Sequence, residues 1–200
     1  LPLDDRGAAM LFRAAMRPGL PTSRRRFVYY PPISHIVADA CPSTARGWTM
    51  TVELDHPSTD ADGALISRGS SNSGFVLYVR QGQVKFDYNC FHQHTLIASE
   101  NRLTVGRHQI TVKIEKTDKT AAHATLLIDG VQQGEAQIAN LLRILSSTGM
   151  DLGRSLSPIN ADYHSPFKYP GRILSAVFEL PTGPQDREIN AQVRAAMTRQ

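Results

Sequence analysis

GFVLYVRQGQVKFDYN, residues Gly74–Asn89, is the stretch on which the fold turns. Phe75, Leu77 and Val79 fall at every second position. After Gln81 and Gly82 the alternation resumes as Val84, Phe86 and Tyr88. A strand repeats every two residues, so each triplet lies on one face, and the polar pair between them reads as the turn of a β-hairpin. An isolated hairpin is marginal in water, so the remaining chain must supply strands to cover it.

It supplies them on both sides. Upstream, Trp48, Met50, Val52 and Leu54 alternate with Thr49, Thr51, Glu53 and Asp55, and a short strand is expected around Ala64–Ser67, followed by a small-residue loop at Ser70–Gly74. Downstream, the spacing predicts strands at Leu96–Ser99, along Ile110, Val112 and Ile114, along Ala124, Leu126 and Ile128, and at Ile173–Leu180. Turns are expected at Thr117–Thr120, Asp129–Gly130 and Pro170–Gly171. Strands about ten residues apart and joined by hairpins argue for an antiparallel sandwich rather than βαβ units. The fold class expected is all-β: an antiparallel β-sandwich with short flanking helices.

Outside this pattern, Leu1–Met16 reads as a short helix capped by Asp4 or Asp5, and Arg17–Arg26 as a linker or strap. FVYYPP then closes into a turn at Pro31 and Pro32. ANLLRILSS, 139–147, reads equally as one helical turn or as a strand. DREINAQVRAAMTRQ at the end has Ile189, Val193 and Met197 on one helical stripe. The expected organisation is a strap at 1–26, a sandwich at 27–182 and a helical tail at 183–200.

Two hundred residues with 41% hydrophobic and 20% charged side chains can bury one real core. No apolar run approaches the length of a membrane span. The +4 net charge, 22 Lys and Arg against 18 Asp and Glu, is mild for a protein that grips a polyanion. Arg24–Arg26 is the densest basic site and no nucleic-acid reader motif accompanies it, so neither nucleic acid nor membrane is an expected partner. Cys41 and Cys90 are either bridged or free. LPLDDRGAAM lacks the features of a signal peptide.

Four ordered pieces carry a resemblance: Gly74–Asn89, LTVGRHQITVKI at Leu103–Ile114, LLIDG at Leu126–Gly130, and DLGRSLSPINADYHSPFKYPGRI at Asp151–Ile173. Together with VFEL at Val177–Leu180 and the opening LPLDDR, they resemble the C-terminal domain of bacterial arylsulfatases. The resemblance implies a laminin-G or concanavalin A-like jelly roll that follows a catalytic domain. That domain would be the missing partner, with homo-oligomer contacts as another role, and the bacterial cytoplasm as the location, or else the periplasm or exterior. A divalent metal and formylglycine would belong to the parent enzyme, with no cofactor in this chain. CPSTAR at Cys41–Arg46 departs from the Cys-x-Pro-x-Arg signature of those enzymes, so Cys41 is not read as a formylglycine precursor.

No catalytic residue is expected. Glu53, Asp55, Asp87, Glu115 and Glu179 are scattered over different strands, unlike the paired carboxylates of glycan cleavage. Tyr78, Tyr88, Tyr163, Phe167 and Tyr169, with Trp48, are the candidates for an aromatic carbohydrate platform, or else core residues. The Pro-bounded HSPFKYPG loop, 164–171, is expected to cover something, the flank of the catalytic domain by the resemblance. Asp87, Asp129 and Asp151, with Asn89 and Asp162, are weak calcium candidates, since that ion takes oxygen ligands; His92 and His94 would share a face only if they lie on a strand. Two functions remain open: a sulfatase accessory domain without activity of its own, or an independent carbohydrate-binding sandwich.

Overall fold

The computed structural model describes residues 24–142 and 148–182. In chain order the strands are β1 (Arg26–Tyr29), β2 (His35–Ile36), β3 (Gly47–His56), β4 (Gly63–Gly69), β5 (Ser73–Arg80), β6 (Gln83–Cys90) and β7 (Gln93–Arg102). They continue as β8 (Gly106–Lys116), β9 (Ala122–Ile128), β10 (Val131–Ile138), β11 (Met150–Leu152), β12 (Arg154–Ser155), β13 (Phe167–Lys168) and β14 (Arg172–Glu179). Residues Arg25–Pro181 form one compact unit.

Two sheets stack face to face. One runs β1-β14-β3-β8-β9-β10; the other runs β12-β13-β4-β5-β6-β7, with β11 paired to β4 and β2. Every pairing is antiparallel except β13 with β4. The chain is thus an antiparallel β-sandwich, as the alternation predicts, and it matches the jelly roll that the resemblance implies. Between the sheets lie Trp48, Met50, Val52, Ile110, Val112 and Leu126 from the first sheet and Phe75, Leu77, Val79, Val84, Phe86 and Tyr88 from the second, all essentially without solvent contact. Trp48 is the hub. Its ring lies 5.0 Å from Phe75, 6.0 Å from Phe86 and 5.7 Å from Phe178, in tilted or edge-on geometry that suits aromatic quadrupoles.

The hairpin turns follow from twist. Of the two-residue turns that match the right-handed twist of paired strands, one type has positive φ at both central residues. Gln81 (φ 56°) and Gly82 (φ 79°) join β5 to β6, and Asp129 (φ 51°) and Gly130 (φ 82°) join β9 to β10. The β6–β7 turn makes the same bend with Phe91 (φ 49°) and His92 (φ 68°), and the bulky Phe91 is poorly suited to it.

Several expectations shift. The strand expected at Leu96–Ser99 is ten residues long, and RFVY, Arg26–Tyr29, forms the edge strand β1 before the Pro31–Pro32 turn. β10 has no counterpart in the sequence reading because VQQGEAQI is polar and bulged between Gln132 and Gly134. Of ANLLRILSS, residues 139–142 are neither helix nor strand, the Leu141 amide donates to the Thr120 carbonyl at 2.6 Å, and 143–147 lie outside the described residues. The terminal helices expected at 1–16 and after Pro184 also lie outside them. Both cysteines are free thiols, Cys41 half-buried and Cys90 buried. Among the described residues no helix is long and apolar enough to cross a membrane.

Candidate functional site

β5 is apolar on both faces. Phe75, Leu77 and Val79 point into the sandwich, while Val76 and Tyr78, on the opposite side of the same strand, are also fully buried. A strand buried on both sides needs a second layer over its outer face. Residues 156–167 supply it: Ile159, Tyr163 and Phe167 pack on Ala64, Val76 and Tyr78 as a small apolar cluster separate from the main core. Tyr163 and Phe167 stack at 4.7 Å, and Tyr78 meets them at 5.6 and 6.4 Å.

The polar atoms of this wall are tied down as well. The Tyr163 hydroxyl donates to Ser155 Oγ (2.9 Å) and accepts the Ile159 amide (3.1 Å), while Ser155 Oγ donates to the Ser157 carbonyl (2.8 Å). Asn89, fully buried on β6, donates through Nδ2 to the carbonyls of Ser71 (2.7 Å) and Ile159 (3.1 Å) and accepts the His92 amide at Oδ1 (2.8 Å). One side chain therefore holds the β4–β5 loop, the wall and the β6–β7 turn.

Where the wall meets the sheet, a polar seam forms. Asp162 Oδ2 accepts from the Tyr78 hydroxyl (2.9 Å) and from Lys85 Nζ (3.0 Å). Asn160 Nδ2 donates to Asp87 Oδ2 (2.6 Å), and His94 Nδ1 lies 3.0 Å from the same carboxylate oxygen. Burial raises the Asp87 carboxyl above its usual range, against the opposing pull of Asn160 and His94. Burial pushes Asp162 upward too, but there the hydrogen bonds from Lys85 and Tyr78 and the charges of Lys85 and Arg80 outweigh it, so its carboxyl sits below the usual range.

Beyond the seam the wall stops and the outer face of β7 lies open at His94 and Leu96, while Asp87 and Asn89 of β6 stay buried and Lys85 is mostly covered. Register pairs Asn89 with His94, Asp87 with Leu96 and Lys85 with Ala98, so these side chains share the outer face. Leu96 is 52% exposed, and Phe91, in the strained turn at the end of this hairpin, is 59% exposed. The result is a strip with an apolar floor at Leu96, one hydrogen-bonding edge along Asn160, Asp162 and Lys85, and an aromatic side chain in the turn that closes its hairpin. Neither Leu96 nor Phe91 stands out in the sequence reading; what could have found Phe91 is the absence of Gly, Asn or Asp from a required tight turn.

The proposed platform aromatics divide. Tyr88 turns into the main core with no exposed face for a sugar, and its hydroxyl accepts the Leu142 amide (2.8 Å). Tyr169 is buried against His56, whose Nδ1 lies 2.8 Å from its hydroxyl. Tyr78 and Tyr163 are interior to the wall, and only Phe167 keeps partial exposure there. Trp48 is the core hub. HSPFKYPG does cover something: this chain's own second sheet.

The calcium candidates are each engaged by protein groups. Asp129 accepts the Gln109 amide (2.8 Å) and pairs with His108 (2.7 Å); Asp151 pairs with His35 (2.8 Å) and accepts the Leu156 amide (3.2 Å). Among the described residues no group of three His, Cys, Asp or Glu side chains is placed to hold a metal, and His92 sits in a turn rather than beside His94 on a strand. Two depressions lie elsewhere, one of about 250 Å³ beside His108 and Asp129 and one of about 380 Å³ beside Trp48 and Glu179.

No family model matches the chain, and no curated protein matches it. Solved structures do. A carbohydrate-binding module, the CBM40 of the Ruminococcus gnavus IT-sialidase, is similar with a TM-score of 0.57 and 15% identity, over 84% of this chain and 96% of that one. The same module bound to α2,3-sialyllactose gives 0.55 and 14%, over 74% and 82%. The NanB sialidase of Streptococcus pneumoniae gives 0.59 and 12%, over 80% of this chain and 27% of that one. At these identities the likeness is one of fold, and none of the three is a sulfatase.

Proposed function

We propose that this chain is a non-catalytic carbohydrate-binding β-sandwich. The observation that carries the reading is the open strip on the outer face of β7, beside the polar seam that covers β6. It joins an exposed apolar floor at Leu96 to hydrogen-bonding groups that a buried second layer holds in place. Saccharides present C–H faces and hydroxyls together, and a site with an apolar surface and a few fixed polar groups is matched to both. The CBM40 structures, solved with sialyllactose, support the reading as relatives in fold that bind oligosaccharide.

A glycan array followed by titration calorimetry tests it. The chain should retain a defined set of oligosaccharides. Leu96→Asp, at an exposed position, should abolish retention while the unfolding midpoint stays put. Binding that survives Leu96→Asp and His94→Ala would place the site elsewhere.

A second reading, the accessory domain of an arylsulfatase, is supported by exposed apolar side chains at Tyr30, Ile33 and Val37, in the segment that follows the opening stretch. A preceding catalytic domain would cover them, and sugar binding would then serve that enzyme. The chain alone should release no sulfate from an aryl sulfate ester; turnover would refute both readings.

A further inference from the structure

The charge pattern of the strip narrows its ligand, on the premise that the strip binds sugar at all. We infer that it selects uncharged saccharides over those bearing a carboxylate or sulfate. Cations on and beside this face are already closed on carboxylates. Lys85 Nζ is 3.0 Å from Asp162, with its side chain only 14% exposed, and Arg80 Nη1 is 3.2 Å from Asp62. Arg102, at the far end of β7, lies 3.7 Å from Asp60. His94 turns its Nδ1 onto Asp87 rather than outward.

An arriving anion therefore meets the exposed Asp162 carboxylate before it meets Lys85, which that carboxylate covers. To reach Lys85 it must displace the Asp162 carboxylate, which also holds the Tyr78 hydroxyl, and leave that carboxylate facing a second negative group. Breaking a partly desolvated ion pair to make another of the same kind gains little and adds repulsion. A sugar hydroxyl has no such conflict. It donates to Asp162 and accepts from Lys85 without parting them, because a hydroxyl carries both a donor and acceptor lone pairs.

The test is an array holding matched neutral, sialylated and sulfated oligosaccharides, probed with the chain and with Asp162→Asn. Calorimetry on the best binder and its charged counterpart would then be run at low and high salt. The expected result is retention dominated by neutral glycans, with a dissociation constant that changes less than about two-fold with salt because no net charge is exchanged. Asp162→Asn, which uncovers Lys85, should shift retention toward the acidic members. An acidic glycan bound about ten-fold more tightly than its neutral counterpart, and weakened by salt, would overturn the inference while leaving the carbohydrate reading intact. Retention of no glycan of either kind would instead remove the carbohydrate reading, and this inference with it.

Discussion

Asn89→Asp is nearly isosteric and changes two N–H donors into an acceptor. Oδ1 can still accept the His92 amide, but the bonds to Ser71 and Ile159 are lost, and a carboxylate oxygen is pressed against both carbonyls where Nδ2 stood at 2.7 and 3.1 Å. Two lost hydrogen bonds cost about 1 kcal/mol each, and a buried charge facing acceptors adds more, so the total should reach at least about 3 kcal/mol at neutral pH. For a chain of this size that is a fall of roughly 10 °C in the unfolding midpoint. The penalty should depend on pH. The buried carboxyl in the variant has its folded pKa raised above the unfolded value of about 3.9, so folding favours the protonated form. That form can donate one bond, so the deficit should be small below about pH 4 and should open as pH rises toward about 6. Thermal unfolding followed by circular dichroism from pH 3.5 to 7.5 measures this. A variant within about 1 kcal/mol of the parent at pH 7, or one whose deficit does not vary with pH, would show that Asn89 is not the tie described.

Other positions give independent checks. Replacing Phe91 and His92 by Asn and Gly puts residues suited to positive φ into the β6–β7 turn and should stabilise the chain by about 1 kcal/mol in urea unfolding; sugar affinity should fall if Phe91 contacts the ligand. Tyr163→Phe leaves the buried Ile159 amide without its acceptor and should cost about 1–2 kcal/mol, and hydrogen exchange across 156–167 should rise more than elsewhere. His56 is held neutral, its pKa lowered by burial and then by His108 against a smaller pull from Asp62. Its folded pKa lies below the unfolded value of about 6.5, so its contribution is present above that pH and is lost as pH falls beneath it. His56→Gln should flatten that part of the stability profile, and an unchanged slope would contradict the assignment.

The sandwich was legible because alternation survives in most strands, and parts of the site were legible in ways the residues allow to be retraced. With a two-residue turn at Gln81–Gly82, Phe75 must oppose Tyr88 and Tyr78 must oppose Lys85, which is the observed register. Tyr88 therefore belongs inside with Phe75, and Tyr78 outside, on pairing alone. The unbroken apolar run Phe75–Val79 likewise signals a strand covered on both faces. What hid the cover is that residues 156–167 have no periodicity: their positions are set by Tyr163, Asn160 and Asp162 reaching across to β5 and β6, contacts 73 to 85 residues apart in sequence. β10 was hidden for another reason. Its side chains are largely exposed, so backbone pairing to β9 fixes it and leaves no hydrophobic signature.

The wall over β5 has its own apolar cluster, distinct from the one between the sheets. Its sequence can therefore drift, or be exchanged for a loop of another shape, without reopening the packing around Trp48. A lineage or a library that varied 156–163 while keeping Tyr163, Asn89 and Val76 would sample new edges for the strip on an unchanged frame. The scaffold and the surface that gives it a specificity can then evolve at separate rates.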